Sequence, residues 1–216
     1  MIDDAADAMA QFFQIHPIDP QPRLIRQAAE ILRAGGVIAY PTDSSYALGC
    51  HLGDAAAAKR IRDLRGVGAA HHLTLVLQDL SEIGHFARLD TWQFRIVRQG
   101  TPGPYTFLLP ATREVPRRLQ HPKRSTVGVR VPDHRVVQAL LAELHEPILS
   151  STLILPGASE PLNDANVIRE SLGSALDLVL DAGACPAAPT TVVDLAVDPP
   201  LIVRLGSGDP KRLGLE

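Results

Sequence analysis

The chain has 216 residues, 45% of them hydrophobic and 21% charged, with a formal net charge of −3. That is enough chain for one substantial core, and the mild acidity excludes wholesale binding of a polyanion. Every apolar run is strand-sized, none approaches a bilayer span, and MIDDAADAMA has neither the basic nor the apolar region of a signal peptide, so a cytoplasmic protein is expected.

In chain order, residues 1–10 read as a disordered acidic extension and FFQIHP (12–17) as a short strand. Leu24, Ile25, Ala28, Ile31 and Leu32 then fall on one helical face, with Pro20 and Pro22 before them and Gly35 after. Val37–Tyr40 is an apolar strand stopped by Pro41. Thr42, Asp43, Ser44 and Ser45 follow it, and a hydroxyl-rich loop after a buried strand is where α/β folds place ligands. Asp54 is positioned to cap a helix that turns Ala57, Ala58, Ile61 and Leu64 inward and ends in Arg65.

Leu73–Leu77 is a further buried strand, Trp92–Arg98 is helical, and Tyr105–Leu109 is strand-like after the break at Thr101–Pro104. TVGVRV (126–131) alternates most regularly. Val127, Val129 and Val131 take one face and Thr126, Gly128 and Arg130 the other, where Gly128 leaves room for a ligand and Arg130 can grip a carboxylate or phosphate. Asp133 is expected to cap a helix burying Val137, Leu140, Leu141 and Leu144. Pro147–Leu155 is a strand whose Ser150-Ser151-Thr152 could line a polar site, and Leu178–Leu180, Thr190–Leu195 and Leu201–Arg204 complete the strands. Helices interleave early and drop out late, which predicts a single α/β domain with an open, twisted, mixed sheet.

Cys50 and Cys185 have no metal or redox spacing and are expected to be buried thiols. His71-His72 are adjacent, so in extended chain the rings face opposite ways and do not chelate together. No P-loop, GxGxxG, GxSxG or zinc spacing occurs, and no metal site is expected. Between Arg113 and Arg135 seven basic residues face two acidic ones, a local excess of five (7 − 2), consistent with a solvated face or with a band that meets phosphate.

Together FFQIHP, YPTDSSYALGC, TPGPYTFLL, EVPRRL, TVGVRVPDH, ILSSTLILPG, PTTVVDL and IVRLG resemble the YrdC-like family of threonylcarbamoyl-AMP synthases, most closely its YciO branch. The resemblance implies a YrdC-like (dsRNA-binding α/β) fold over residues 11–207, with 208–216 a C-terminal tail. It also implies condensation of L-threonine, bicarbonate and ATP, with Mg2+, into threonylcarbamoyl-adenylate and pyrophosphate, toward a modified adenosine in tRNA. Carried over by position, Thr42, Arg130, Thr152 and Thr190 would hold threonine. Arg65, Thr126 and Arg204 would hold ATP, with Arg65 and Arg130 in catalytic roles. Arg117, Arg118, Lys123 and Arg124 are the candidates for double-stranded RNA or tRNA. The family's Lys-x-Arg reads Arg65-Gly66-Val67 here, and its Ser-x-Asn reads Thr152-Leu153-Ile154. A cation and an amide are therefore lost, which implies reduced synthesis, or a nucleotide- or RNA-binding protein without it.

Overall fold

The computed structural model describes residues 9–68 and 71–215, so most of the expected acidic extension lies outside the described residues. The chain runs β1 (Gln11–Gln14), α1 (Pro22–Arg33), β2 (Ile38–Tyr40), β3 (Ala47–His51), α2 (Ala55–Arg65) and β4 (Thr74–Val76). It continues through α3 (Ile83–Phe86), α4 (Thr91–Gly100), β5 (Tyr105–Pro110), β6 (Thr126–Arg130), α5 (Arg135–Leu144) and β7 (Ile148–Thr152). The last elements are α6 (Ala165–Leu172), β8 (Leu178–Asp181), β9 (Thr191–Asp194) and β10 (Leu201–Arg204).

Local chemistry explains most boundaries. Pro22 opens α1, where its missing N–H costs nothing, and Ile25, Ala28 and Leu32 are buried along one stripe. Asp54 caps α2 by accepting the Ala57 N–H at 2.8 Å, and Gly66 ends it in the left-handed region at φ 61°. The cap expected from Asp133 does not form. His134 occupies the N-cap of α5 without a side-chain bond, and the helix is held instead by the burial of Val137, Leu140, Leu141 and Leu144. Three elements went unread in the sequence, among them the single-turn α3. β3 is built from small residues around Gly49, and α6 is started by Asp164, which accepts the N–H groups of Asn166 and Val167.

All ten strands form one mixed sheet in the order β1-β8-β2-β3-β7-β4-β6-β5-β9-β10. Its two faces differ along the sheet. On one face α1 and α5 pack over Ile38, Tyr40, Ala47, Val76, Ile148, Leu178 and Leu180. On the other, α2, α4 and α6 bury Ala39, Leu48, Leu75, Leu149, Val129, Phe107 and Val193. The register places Arg130 beside Val76, and both Gly128 and Ser150 beside Thr74. The face that α1 and α5 cover at one end therefore continues, with no helix of that cluster over it, as a polar surface across β4, β6, β5 and β9. That half-covered face positions the site. Beyond β10, residues 210–213 form a turn of 3-10 helix that buries Leu213 against Gly100 of α4.

Candidate functional site

A cavity of about 180 Å³ opens on the polar half of this face. Three arginines line it, Arg65 from the end of α2, Arg130 from β6 and Arg204 from β10. Between them lie the hydroxyls of Thr74, Thr106, Ser150, Ser151, Thr152 and Thr190. Among the described residues that line it, none is an aspartate or glutamate.

Each guanidinium is fixed along one edge by a protein acceptor. Arg65 Nη1 donates to Ser151 Oγ at 2.6 Å and to the Thr152 carbonyl. Arg204 donates to the Thr190 carbonyl from Nε (3.1 Å) and Nη2 (2.9 Å), and Nη2 also reaches Thr190 Oγ1 at 3.1 Å. Thr190 Oγ1 in turn meets Thr106 Oγ1 at 3.0 Å. Arg130 pairs through Nη2 with Asp43, with Thr42 Oγ1 3.5 Å away. Orientation is thus settled before a ligand arrives. The Nε groups of Arg65 and Arg130 are buried without partners.

The electrostatics follow from crowding. Burial lowers the Arg65 pKa and the Arg204 charge lowers it further, while Arg204 is lowered by burial and then by Arg130. Burial likewise lowers His71, helped by Arg65, His72, Arg62 and Arg204, so its imidazole favours the neutral form. An anion entering here relieves repulsion as well as gaining hydrogen bonds.

The structure brings together Arg65, Arg130, Thr152, Thr190 and Arg204. Thr42 stands behind Arg130, outside the lining. Its hydroxyl donates to the Ser45 carbonyl at 2.6 Å and accepts the Ser44 and Ser45 N–H groups, so it organises its own loop. Thr126 is buried at the start of β6, paired with Pro110, and also lies outside the lining. Val67 and Ile154 are half-buried and do not line it either.

The basic run is divided. Val115 and Leu119 anchor its first part in the core on the opposite face of the sheet, where Arg118 donates to the Leu52 and Gly53 carbonyls. Arg124 pairs with Asp194 at 2.6 Å. Arg117 and Lys123 are exposed, and Arg117 borders a separate groove with Arg88 and Arg113.

Three features were not read from sequence. His71 and His72 both line the cavity, and His71 lies at a bend, where the extended-chain expectation of opposite facing does not apply. Thr74 and Thr106 belong to the same hydroxyl face, and a polar residue at an alternate position of each strand was the available signal. Asp43 is the partner of Arg130, and no local pattern announces a contact across 87 positions. Cys50 and Cys185 are free and buried. No helix among the described residues is long and apolar enough to cross a membrane.

The open mixed α/β sheet thus carries a cavity lined by three arginines and six hydroxyl side chains, with no aspartate or glutamate among its described lining residues. The chain belongs to the Sua5/YciO/YrdC family, whose model, described as "Telomere recombination", matches residues 30–206. The uncharacterized protein YciO of Escherichia coli K12 is 49% identical over 203 residues, covering 94% of this chain and 98% of that protein. The crystal structure of E. coli YciO matches with a TM-score of 0.92 over 95% of this chain and all 100% of that chain. The threonylcarbamoyl-AMP synthase of Nitrosococcus oceani is 36% identical over 157 residues, 72% of this chain and 84% of that enzyme. A crystal structure of P. abyssi Sua5 complexed with L-threonine matches with a TM-score of 0.85 at 26% identity, over 94% of this chain and 61% of that one.

Proposed function

We propose that this protein condenses L-threonine, bicarbonate and ATP into threonylcarbamoyl-adenylate at a reduced rate. The observation that carries the reading is the set of three pre-oriented guanidinium groups in a cavity lined by no carboxylate. All three substrates bring negative charge, so such a site holds them side by side without needing a nucleophile. The amine adds to the bicarbonate carbon with loss of water, giving a carbamate. A carbamate oxygen then attacks the α-phosphorus, and pyrophosphate leaves. Arg65 and Arg204 would face the phosphates and Arg130 the threonine carboxylate, with the hydroxyls of Thr152 and Thr190 beside them. Thr126 does not enter the proposal.

Mg2+ would arrive with the triphosphate. Among the described residues no group of three or more His, Cys, Asp or Glu could hold the ion alone, so phosphate oxygens and water would complete its shell. Support also comes from relatives named threonylcarbamoyl-AMP synthase and from the threonine complex of P. abyssi Sua5. The test is pyrophosphate release from the purified protein with threonine, bicarbonate, Mg2+ and ATP. Release that needs all of them, and is lost in Arg204→Ala, is expected.

A second reading, a nucleotide- or RNA-binding protein without synthesis, is favoured by Val67 and Ile154, which place apolar groups where the family has a cation and an amide. ATP binding by calorimetry with no pyrophosphate would select it. For RNA, the exposed Arg117 and Lys123 are the side chains to replace, and loss of salt-dependent affinity is the readout.

A further inference from the structure

Joining an amino acid to bicarbonate releases a proton. The ammonium and the bicarbonate give a carbamate, one water and one H+, and the nitrogen has no lone pair to attack with until that proton is taken. At neutral pH the amine is mostly in its protonated form.

The cavity holds few groups that could take it. Its arginines are already cations, and its serine and threonine hydroxyls are far too weakly basic. No aspartate or glutamate is among its described lining residues, and Asp43 lies outside the lining, against Arg130. His71 and His72 remain.

The two rings face different surroundings. His72 packs on His121, with 5.1 Å between ring centroids, and the charges acting on it are those of His121 and Arg62. His71 instead meets the charges of two cavity arginines, Arg65 at the end of α2 and Arg204 on β10, together with Arg62 and His72. Its backbone is anchored on both sides. The N–H donates to the Gly68 carbonyl at 2.9 Å, and the carbonyl accepts Arg62 Nε at 3.2 Å.

Burial first, and these cations second, keep the His71 imidazole neutral, which is the form that accepts a proton. A triphosphate against Arg65 and Arg204 would offset the positive charge that opposes protonation. The ring then becomes more basic when the substrate is in place.

We propose that His71 is the general base of carbamate formation, taking one proton from the threonine ammonium. The N–C bond forms and the carbon–hydroxyl bond of bicarbonate breaks. The departing hydroxide takes a second proton from nitrogen and leaves as water, while His71 holds the first as imidazolium. This role deepens the synthase reading of the cavity and rests on it.

Two measurements test it. In NMR titrations of the unaltered protein, the His71 ring is expected to titrate below the ordinary histidine value of about 6.5. Mg2+ with a non-cleavable ATP analogue should raise that midpoint by at least about one pH unit. A midpoint that the analogue leaves unmoved would overturn the proposal without any variant. The second measurement follows pyrophosphate release across neutral pH. The parent's rate should fall on the acid side as His71 protonates and level off above it. His71→Asn should be slower at neutral pH by roughly 10²-fold and should gain about tenfold per pH unit, as free amine replaces the missing base. Its ATP affinity by calorimetry should change by less than about threefold. A purely structural role would weaken ATP binding and leave the shape of the pH profile intact. A folded His71→Asn protein with the parent's profile would overturn the proposal while the synthase reading stands. A parent that releases no pyrophosphate at any pH would overturn that reading, and this role with it.

Discussion

Replacing Arg130 by Met tests whether the buried pair at the site is held as a unit. Arg130 is 7% and Asp43 11% exposed, so the charge left behind cannot be rescued by free hydration. Removing one partner of a buried pair costs roughly 3–5 kcal/mol. Two details place this case toward the lower end. Asp43 is held by a single Arg130 nitrogen, and Arg130 itself depresses Arg204, a repulsion that its removal relieves. A loss of about 3 kcal/mol in a chain of this size lowers Tm by roughly 6–12 °C. The companion variant Arg130→Met with Asp43→Asn removes both charges and keeps the volume, and it should recover at least about 1 kcal/mol of that loss. Urea unfolding of the parent, both single variants and the double variant gives the coupling, and pyrophosphate release is expected from none of the three variants. Strictly additive effects would refute the reasoning, because they would mean that each group is solvated independently.

Arg65→Lys keeps the charge but loses the planar guanidinium, whose Nη1 donates to both Ser151 Oγ and the Thr152 carbonyl and whose other N–H groups keep a fixed orientation. ATP affinity by calorimetry should fall about tenfold, or ~1.4 kcal/mol, while Tm shifts by no more than a few degrees. A second expectation concerns pH. The folded pKa of His134 is lowered by burial below its unfolded value of about 6.5, so the unfolded chain binds more protons just below that pH. Its contribution to stability is present above about pH 6.5 and is lost as pH falls through the folded pKa. Urea midpoints should therefore decline from pH 7 toward pH 5, and less steeply in His134→Asn, with His71 and His72 adding to the slope in the same direction. Finally, Val67→Arg with Ile154→Asn should raise pyrophosphate release at saturating substrates by more than it changes ATP affinity; a folded variant no faster than the parent favours the binding-protein reading.

Where alternation was strong, sequence sufficed. The period of two in Thr126–Arg130 put the valines in one core cluster and Gly128 and Arg130 on the opposite face, as the burial of the valines and the register with Thr74 and Val76 bear out. The 3.6-residue stripes of α1, α2 and α5 were equally readable. β3 was not, because Ala47-Leu48-Gly49-Cys50 offers no β-branched residue and is held by its neighbours on both sides instead. α6 was hidden because Asn163, Asp164 and Asn166 look like loop chemistry, although Asp164 uses that chemistry to start a helix. The cavity itself was legible only through the family likeness. Arg65 and Ser151, or Arg130 and Asp43, meet through strand order, and strand order leaves no local trace. Charge density alone misdirects here, since the basic run is split between the two faces of the sheet by Val115 and Leu119.

The choice between enzyme and binder turns on which contacts matter in the ground state and which only as charge redistributes on phosphorus. Arg204 and Arg130 sit on strands and are braced by Thr190 and Asp43, so their geometry survives changes elsewhere. Arg65 ends a helix that Gly66 caps in the left-handed region, and Val67 just beyond does not line the cavity. The family's second cation would extend from this less braced stretch, where Val67 now stands outside the lining. A guanidinium added there would have to reach inward past Arg65, whose pKa is already depressed by burial and by Arg204. That crowding is tolerable only while a triphosphate is present to neutralise it. On the proposed reading, the missing cation would act on ATP at its reacting phosphorus far more than on the empty site, so its loss would lower the rate of synthesis more than it lowers stability.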